Sequence, residues 1–170
     1  MNLYFRLFLL LIKLIRKPSL GLLDTSVLKL RVLPNDLDMN MHMNNGRYLS
    51  IMDLGRVDIM HRIGLMEHII TNRWSPVVGH LHMRFRRPFK LFQQYELSSR
   101  IVSWDEKWVY IEQTFICNHK IHAVGLVQGL IRGKEGNIPS SQILELLGLN
   151  QPPPVLTDDI KVLQQFGTIE

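Results

Sequence analysis

Four long segments of alternating apolar and polar residues follow a single helical segment, and this order constrains the fold more than any other feature. The alternating segments are residues 74–86, 95–104, 108–118 and 121–132. A period of two is typical of half-buried strands, and the connections 105–107 and 118–120 are short enough for hairpins. With a further strand predicted at 27–33, the order is α+β. One antiparallel sheet must then wrap around one long central helix.

The central helix is predicted from an apolar stripe at helical spacing. Its members are Tyr48, Ile51, Met52, Gly55, Ile59 and Ile63. The helix should begin near Asn44 or Asn45, because asparagine is a strong N-cap residue, and end near Gly64. Gly55 lies inside the stripe, where the lack of a side chain lets another segment come close. A single layer of strands leaves the helix's other flank and a sheet edge open, so we expect a partner subunit.

The net charge of +5 comes almost entirely from the N-terminus. Four of the twenty basic residues lie in 1–17, which holds no acid, and the remaining sixteen stand against fifteen acidic residues. A nucleic-acid-binding protein would need a basic body or a known motif, so no nucleic-acid partner is predicted. The one cysteine, Cys117, excludes an intrachain disulfide, and its apolar neighbours predict a buried strand position.

Residues 1–17 read as a basic amphipathic helix that ends before Pro18. On a helical wheel Arg6, Lys13 and Lys17 lie close together and apolar residues fill the rest. Such a helix typically lies on an anionic membrane surface, and the alternatives are packing on the domain or a partner, or insertion. Its longest uncharged run is too short to span a bilayer. We therefore expect a cytoplasmic protein, peripheral on a membrane through 1–17.

The C-terminal part is predicted to be less regular. Residues 133–137 read as a turn, 140–147 as a short helix, and 151–170 as a tail that begins with three prolines. The predicted domain organisation is therefore an N-terminal helix at 1–17, one globular domain at 18–150 and a tail at 151–170.

The segment 36–56 carries the predicted chemistry. It is a polar loop that holds Asp36, Asp38 and His42 and runs directly into the start of the central helix. The first turn of a helix has unpaired backbone N–H groups, and a carboxylate beside them suits attack on a carbonyl whose oxygen becomes negative. The alternative is structural, because aspartate before a helix commonly forms an Asx turn.

This segment resembles the hotdog-fold thioesterases, specifically the 4-hydroxybenzoyl-CoA thioesterase-like group. That group shows Asp-x-x-Gly-His-x-Asn-Asn-x-x-Tyr-Leu followed by an acid and an arginine. The matching residues are Asp38, His42, Asn44, Asn45, Tyr48, Leu49, Asp53 and Arg56. The run 85–89 is similar to a strand-ending motif of the group, and 104–113 is similar to a membrane-associated subgroup. The resemblance covers about residues 27–132, and it departs from the group at Met41, where the group has glycine.

The resemblance implies roles for these residues. Asp38 would act on a thioester as nucleophile or general base, and the backbone N–H of Asn45 would polarise the carbonyl. His42 would orient Asp38 or bind substrate, with a loop-bracing hydrogen bond as the alternative. Three arginines, together with Tyr48, are the predicted substrate-binding residues, since a cationic patch suits the phosphates of coenzyme A; a solvated strand face is the alternative. The arginines are Arg84, Arg86 and Arg87.

The sequence thus predicts an acyl-CoA thioesterase of lipid metabolism that works as a hotdog homodimer or dimer of dimers, without a metal or other cofactor. Asp53 and Arg56 are expected to form an ion pair within the helix. The alternative is a non-catalytic acyl-binding or membrane-associated module on the same fold. Met41 keeps that alternative open, because glycine frees the backbone for left-handed turns and methionine does not.

Overall fold

The structure is a computed structural model that describes residues 2–14, 17–155, 158 and 160. The helices and strands in chain order are α1 (Asn2–Leu14), β1 (Ser26–Arg31), α2 (Asn45–Arg62), α3 (Leu65–Thr71), β2 (Ser75–Phe85), β3 (Gln94–Trp104), β4 (Val109–Cys117), β5 (Lys120–Gly133), β6 (Gly136–Ile138) and α4 (Ser140–Leu146). A 3-10 turn, Pro34–Asp36, lies between β1 and α2.

One antiparallel sheet wraps around α2, as predicted. The strand order is β1-β3-β4-β5-β2, with the short β6 added to β5. The buried face of α2 carries the predicted apolar stripe, of which all but Ile63 are buried. Cys117 is also buried, at the end of β4. The α+β prediction is confirmed.

Gly55 is the point at which α2 comes closest to the sheet. A Cβ atom there would lie 2.5 Å from Ser99 Oγ and 2.6 Å from Gln113 Nε2. The Gln113 amide donates to Met52 O (2.9 Å) and to Ser99 Oγ (2.9 Å), so a polar clamp joins the helix backbone to β3 and β4. The predicted close approach at Gly55 is confirmed.

The strand β2 lies at one edge of the sheet and is unusually exposed. It pairs with β5 on one side, and within the described chain its other side has no strand partner. None of its eleven residues is buried, and eight are exposed. An exposed edge strand is a template for pairing with another chain.

Helix α1 packs against the domain, and its Arg6 faces inward whereas its Lys13 is exposed. Leu10 and Leu14 are buried in the same hydrophobic core as the sheet and α2. Arg6 binds Asp36, and Lys17, just beyond the helix, binds Asp58 (2.5 Å). The inner face of α1 therefore takes the packing alternative, because buried carboxylates of the domain hold Arg6 and Lys17 as partners; attachment of the helix to a membrane stays a prediction. No described helix is long and apolar enough to cross a bilayer.

Three further features differ from the sequence-based predictions. Helix α3 was missed because Gly64, in the left-handed region at φ 84°, ends α2 as predicted but turns the chain into a second short helix. The predicted turn at 133–137 contains the start of β6. Most of the predicted tail, and residues 15 and 16 of the predicted first helix, lie outside the described residues. Within the described part of the tail, Pro154 O accepts a hydrogen bond from Ser103 Oγ (2.8 Å).

Candidate active site

The candidate catalytic loop is a tight, internally bonded turn. The Asp38 N–H donates to His42 O (2.8 Å), and the Met41 N–H donates to Asp38 O (3.1 Å). The Asp38 carboxylate accepts from the backbone N–H of Asn40 (2.8 Å) and of His42 (3.3 Å), both at Oδ1. These bonds hold one oxygen and leave Oδ2 with no hydrogen-bond partner among the described residues. Asp38 is thus an Asx-turn residue whose second oxygen remains available for chemistry.

The start of α2 follows this turn directly. Asn44 is the N-cap, and its side chain accepts from the Gly46 N–H (2.8 Å). The Arg47 N–H donates to Asn44 O (2.9 Å). The intervening N–H, that of Asn45, has no acceptor among the described residues, and Asn45 is exposed. The uncommitted N–H carries the partial positive charge of a helix N-terminus.

Met41 adopts the left-handed conformation, which glycine reaches without steric cost and other residues rarely adopt. Its φ is 59°, and its side chain is 62% exposed. The turn at Met41 therefore carries backbone strain of about 1–2 kcal/mol, which a glycine there would not.

The loop is anchored from beneath by Asp36. This carboxylate is 1% exposed and accepts from the Leu33 N–H (2.8 Å). Arg6 of α1 binds it with both Nη atoms, at 3.2 Å and 2.5 Å, and Arg47 Nε lies 3.7 Å away. The Asp36 carbonyl also accepts from the Asn44 N–H (2.8 Å). The N-terminal helix thus holds the loop that carries Asp38 and the cap of α2.

The contribution of Arg6 was missed at the sequence level. Thirty residues separate it from Asp36, and no local spacing links the two. The only available signal was Asp36 itself, since a carboxylate that becomes buried needs a cation, but the sequence does not say which one.

Tyr48 lies in an aromatic cluster under the first turns of α2. Its ring centroid is 5.1 Å from Phe85, 5.9 Å from Phe89 and 5.0 Å from Phe115. Burial raises the pKa of Tyr48 to about 12, against a smaller opposing effect of its hydrogen bond with the Phe89 backbone. Because the side chain is only 2% exposed, it supports the helix start from below, and a contact with substrate stays a prediction.

The predicted cationic patch lies beside the loop. Met43 N donates to Phe89 O (3.0 Å), and His42 pairs with Lys90 in a short β-bridge, so the segment that follows β2 runs along the loop. His42 acts here through its backbone. The exposed members of the patch are Arg84, Arg86 and Arg87. Arg87 Nη1 donates to Ile121 O (2.8 Å), and the described residues offer no side-chain partner to the other two.

Asp53 and Arg56 form the expected ion pair on the opposite stretch of α2. Arg56 Nη1 also donates to Gln113 Oε1 (3.0 Å), so the pair joins the polar clamp at Gly55. Burial lowers the pKa of Arg56, and the charge of Asp53 partly offsets this. The pair lies away from the Asp38 loop. Asp53 is eight residues after Asn45, the first residue of α2, which corresponds to about 12 Å of rise along the helix axis.

Comparison with known proteins identifies the family. A profile of the Thioesterase-like superfamily matches residues 32–158. Protein THEM6 of Danio rerio is 41% identical over 126 residues, which cover 72% of this chain and 62% of that protein. The probable thioesterase YBR096W of Saccharomyces cerevisiae is 26% identical over 160 residues, covering 91% of this chain and 69% of that protein. The chain thus spans less than two thirds of the length of the THEM6 relative.

Solved structures share the fold. YbaW, a probable thioesterase from Escherichia coli, superposes with a TM-score of 0.65 at 18% identity, over 74% of this chain and 98% of that one. The Staphylococcus aureus protein SAV2348, solved in complex with CoA, gives a TM-score of 0.64 at 14% identity, over 84% and 95%. The wrapped helix is therefore the hotdog fold, and the chain belongs to the Thioesterase-like superfamily.

Proposed function

We propose that this protein hydrolyses acyl-CoA thioesters, with Asp38 as the reacting carboxylate. One observation supports this above the others: Asp38 Oδ2 and the Asn45 N–H, on either side of one tight turn, both lack a described partner. The carboxylate and an oxyanion donor are thereby provided by consecutive parts of the chain. Family membership and the named thioesterases among the relatives support the same reaction.

The chemistry follows from these two groups. The Asn45 N–H donates to the thioester oxygen as it becomes negative, which contributes about 3–4 kcal/mol in comparable sites. As general base, Asp38 takes a proton from water while the water oxygen bonds to the carbonyl carbon. The C–S bond then breaks, and the coenzyme A thiolate leaves and is protonated. As nucleophile, Asp38 would itself bond to that carbon as the C–S bond breaks and the coenzyme A thiolate leaves, and water would then cleave the resulting anhydride into the free acid and Asp38. His42 supports the loop, and the cationic patch would bind the phosphates of coenzyme A.

The test is thiol release from a panel of acyl-CoAs by the wild-type protein and Asp38→Asn. We expect the variant to lose at least a hundredfold in kcat while its fold is unchanged. Asp24→Asn, at an exposed aspartate that precedes β1 and lies outside the 36–56 segment, is the matched control and should keep full activity. Equal and negligible release by all three proteins would favour the alternative, a non-catalytic acyl-binding module. Single-turnover hydrolysis in ¹⁸O-labelled water separates the two roles. If Asp38 is the nucleophile, ¹⁸O is found in its carboxylate when water cleaves the anhydride at the aspartyl carbonyl. If Asp38 is the general base, ¹⁸O is found only in the released acid.

The proposal includes a homodimer formed along β2. Two observations support it: this edge strand is exposed along its length, and its own apolar side chains Val77, Val78 and Phe85 are 38–43% exposed. Pairing β2 with the β2 of a second copy would extend the sheet and cover these residues. Sedimentation should give twice the monomer mass, and Val78→Lys should shift the protein toward the monomer.

The proposal also includes attachment to a membrane through the outer face of α1. Apolar side chains dominate this face, and its charged residue is Lys13. Its exposed apolar residues are Tyr4, Phe5, Phe8, Leu9, Leu11 and Ile12. Because Arg6 and Lys17 are bound to buried carboxylates, attachment should depend on apolar insertion more than on anionic lipid. Phe5→Ser/Phe8→Ser should abolish binding to phosphatidylcholine vesicles, whereas Ile70→Ser, at an exposed apolar residue of α3, should not. Equal binding by both variants would remove this part of the proposal.

A further inference from the structure

The segment between α1 and β1 carries a sequence pattern that the proposed function does not use. It reads Arg16-Lys17-Pro18-Ser19-Leu20, with two basic residues shortly before a serine and an apolar residue directly after it. Protein kinases select their substrates by charge patterns, and a kinase with an acidic substrate groove selects serines that follow basic residues. The pattern therefore makes Ser19 a candidate for phosphorylation.

The structure distinguishes Ser19 from the other serines that have an arginine three residues before them. These are Ser50 and Ser103. Ser50 lies inside α2, where its hydroxyl donates to a backbone carbonyl of the preceding turn (3.2 Å). Ser103 is fully buried in β3. Ser19 is exposed, lies outside the helices and strands, and its hydroxyl has no hydrogen-bond partner among the described residues. Of the three hydroxyls, a kinase can reach that of Ser19.

One residue of α2, Arg62, holds the chain on both sides of Ser19. Its Nε donates to Pro18 O (2.9 Å), and its carbonyl accepts from the Leu20 N–H (2.9 Å). A kinase has to bind the residues on both sides of the serine, so these two bonds must open before the phosphoryl group is transferred. Phosphorylation therefore requires a local opening of this short segment.

The same segment is attached through a buried carboxylate of α2. Lys17 Nζ lies 2.5 Å from Asp58 Oδ1, and Arg62 Nη1 lies 3.8 Å from Asp58 Oδ2. Asp58 is fully buried, and the Ser26 hydroxyl also donates to it. The Lys17 N–H donates to Leu14 O (3.1 Å), so this lysine holds the C-terminal end of α1. Two cations and one carboxylate give the cluster a net charge of +1.

We propose that Ser19 is phosphorylated by a kinase that recognises the preceding basic residues, and that the phosphate loosens the attachment of α1. In the transfer, Ser19 Oγ bonds to the γ-phosphorus of ATP as the bond from that phosphorus to the β,γ-bridging oxygen breaks. ADP leaves, and the hydroxyl proton passes to the kinase. The phosphate adds a charge of about −1.5 to −2 at pH 7. It lies two residues from Lys17 and one from Pro18, whose carbonyl Arg62 already binds.

Competition for two cations sets the direction of the effect. Arginine binds a phosphate through two parallel hydrogen bonds, whereas Arg62 Nη1 is 3.8 Å from Asp58. The phosphate should therefore draw Arg62 and Lys17 away from the carboxylate, and the net charge of the cluster becomes negative. A carboxylate that stays buried without its cations is strongly destabilising. The segment that holds the end of α1 should then open more often.

The link to the candidate active site runs through α1. Arg6 of this helix binds the buried Asp36, which precedes Asp38 by two residues. Weaker attachment of α1 should therefore slow hydrolysis although the phosphate does not contact the substrate. This last step rests on the proposed function, whereas the phosphorylation of Ser19 and the loosening of α1 do not.

The first experiment treats the full-length protein with magnesium ATP and the catalytic subunit of cAMP-dependent protein kinase, which recognises basic residues before a serine. Mass spectrometry should find a phosphate on Ser19, and a casein kinase, which requires acidic residues, should leave Ser19 unmodified. Ser19→Ala should abolish the incorporation. Ser141→Ala, at an exposed serine without a basic residue in the four positions before it, is the matched control and should incorporate phosphate normally. A folded wild-type protein that stays unmodified at Ser19 would overturn the inference.

Hydrogen exchange then measures the attachment of α1. Peptides that cover residues 2–14 should exchange about tenfold faster in the phosphorylated protein, which corresponds to a loss of about 1.4 kcal/mol in protection. Ser19→Ala treated with the same kinase is the control and should exchange as the untreated wild type does, because its hydroxyl has no partner to lose. Equal or slower exchange in α1 after phosphorylation would refute the loosening.

Hydrolysis separates this inference from the proposed function. Phosphorylation should lower kcat for acyl-CoA roughly threefold, less than it changes α1, because Arg47 remains beside Asp36. Kinase-treated Ser19→Ala should keep the untreated rate. Faster exchange in α1 without hydrolysis by either form would refute the proposed function and leave the phosphorylation site standing. Hydrolysis that stays constant while α1 loosens would refute the link from Ser19 to the Asp38 loop.

Discussion

The ion pair between α1 and the catalytic loop gives the most specific prediction for stability. Arg6→Met keeps much of the length of the side chain and removes its charge. Asp36, which is 1% exposed, then loses the two guanidinium contacts at 3.2 Å and 2.5 Å. Breaking a buried pair from one side costs about 3–5 kcal/mol. We expect the lower end, about 3 kcal/mol, because Arg47 remains 3.7 Å from the carboxylate.

The assay is urea unfolding followed by tryptophan fluorescence, with the free energy of unfolding taken from midpoint and slope. A domain with an ordinary stability of about 5–15 kcal/mol remains folded after such a loss. Lys13→Met, at an exposed lysine of the same helix, is the control and should change stability by less than about 0.5 kcal/mol. Removing both charges, in Arg6→Met/Asp36→Asn, should restore much of the loss, because no unpaired buried charge is left.

The same variant tests whether α1 positions the loop. Asp36 O holds the Asn44 N–H, so Arg6→Met should lower kcat for acyl-CoA in addition to stability, and Arg6→Lys should recover part of it. A loss below 1 kcal/mol in Arg6→Met, or an equal loss in Lys13→Met, would refute the reasoning, since the pair would then contribute no more than an exposed charge.

Three further predictions concern stability. Gly55→Ala should destabilise the protein by about 1–2 kcal/mol in urea unfolding, although alanine is the better helix former, because the new Cβ would lie 2.5 Å from Ser99 Oγ; a gain in stability would contradict the close approach. Met41→Gly should stabilise the protein by up to about 1 kcal/mol by relieving the φ of 59°, whereas Met39→Gly should not. Burial lowers the pKa of His122, which stacks on Phe89 at 4.2 Å, and outweighs the nearby backbone carbonyls that favour the charged ring. The unfolded chain then binds the proton more tightly, so stability should fall as pH falls below about 6.5, by at most about 1.4 kcal/mol per pH unit. His122→Phe should flatten this slope and the exposed His61→Phe should not.

The features that the sequence predicted correctly are those encoded locally. The strands β2 to β5 follow from the alternation of apolar and polar residues. The start of α2 follows from Asn44, whose side chain caps the helix by accepting a hydrogen bond from the Gly46 N–H. Gly55 was informative because a glycine in an apolar stripe has few other uses. Each of these signals is complete within a few neighbouring residues, so no knowledge of the tertiary structure was needed.

The features that were missed depend on partners distant in sequence. Helical spacing correctly predicted that Arg6 and Lys17 lie on one side of the N-terminal segment. It did not indicate whether that side would face the domain. Two buried carboxylates, Asp36 and Asp58, decided that question, and they lie 30 and 41 residues away from their cations. An apolar pocket lined by α2, the sheet and α4 is likewise formed by several elements together, and no single segment indicates it.

The orientation of α1 links these two outcomes to function. A helix whose cations pointed outward would attach to anionic lipid, and its detachment would not lower the stability of the domain. In this protein Arg6 and Lys17 are bound to the domain, and Arg6 holds the loop that carries Asp38. Detaching α1 would therefore take Arg6 away from the buried Asp36 carboxylate, leaving Arg47 at 3.7 Å beside it, and would loosen the candidate active site. Deleting residues 2–14 should consequently lower acyl-CoA hydrolysis in detergent-free solution with no membrane present, whereas a helix that served only as an anchor would leave that rate unchanged.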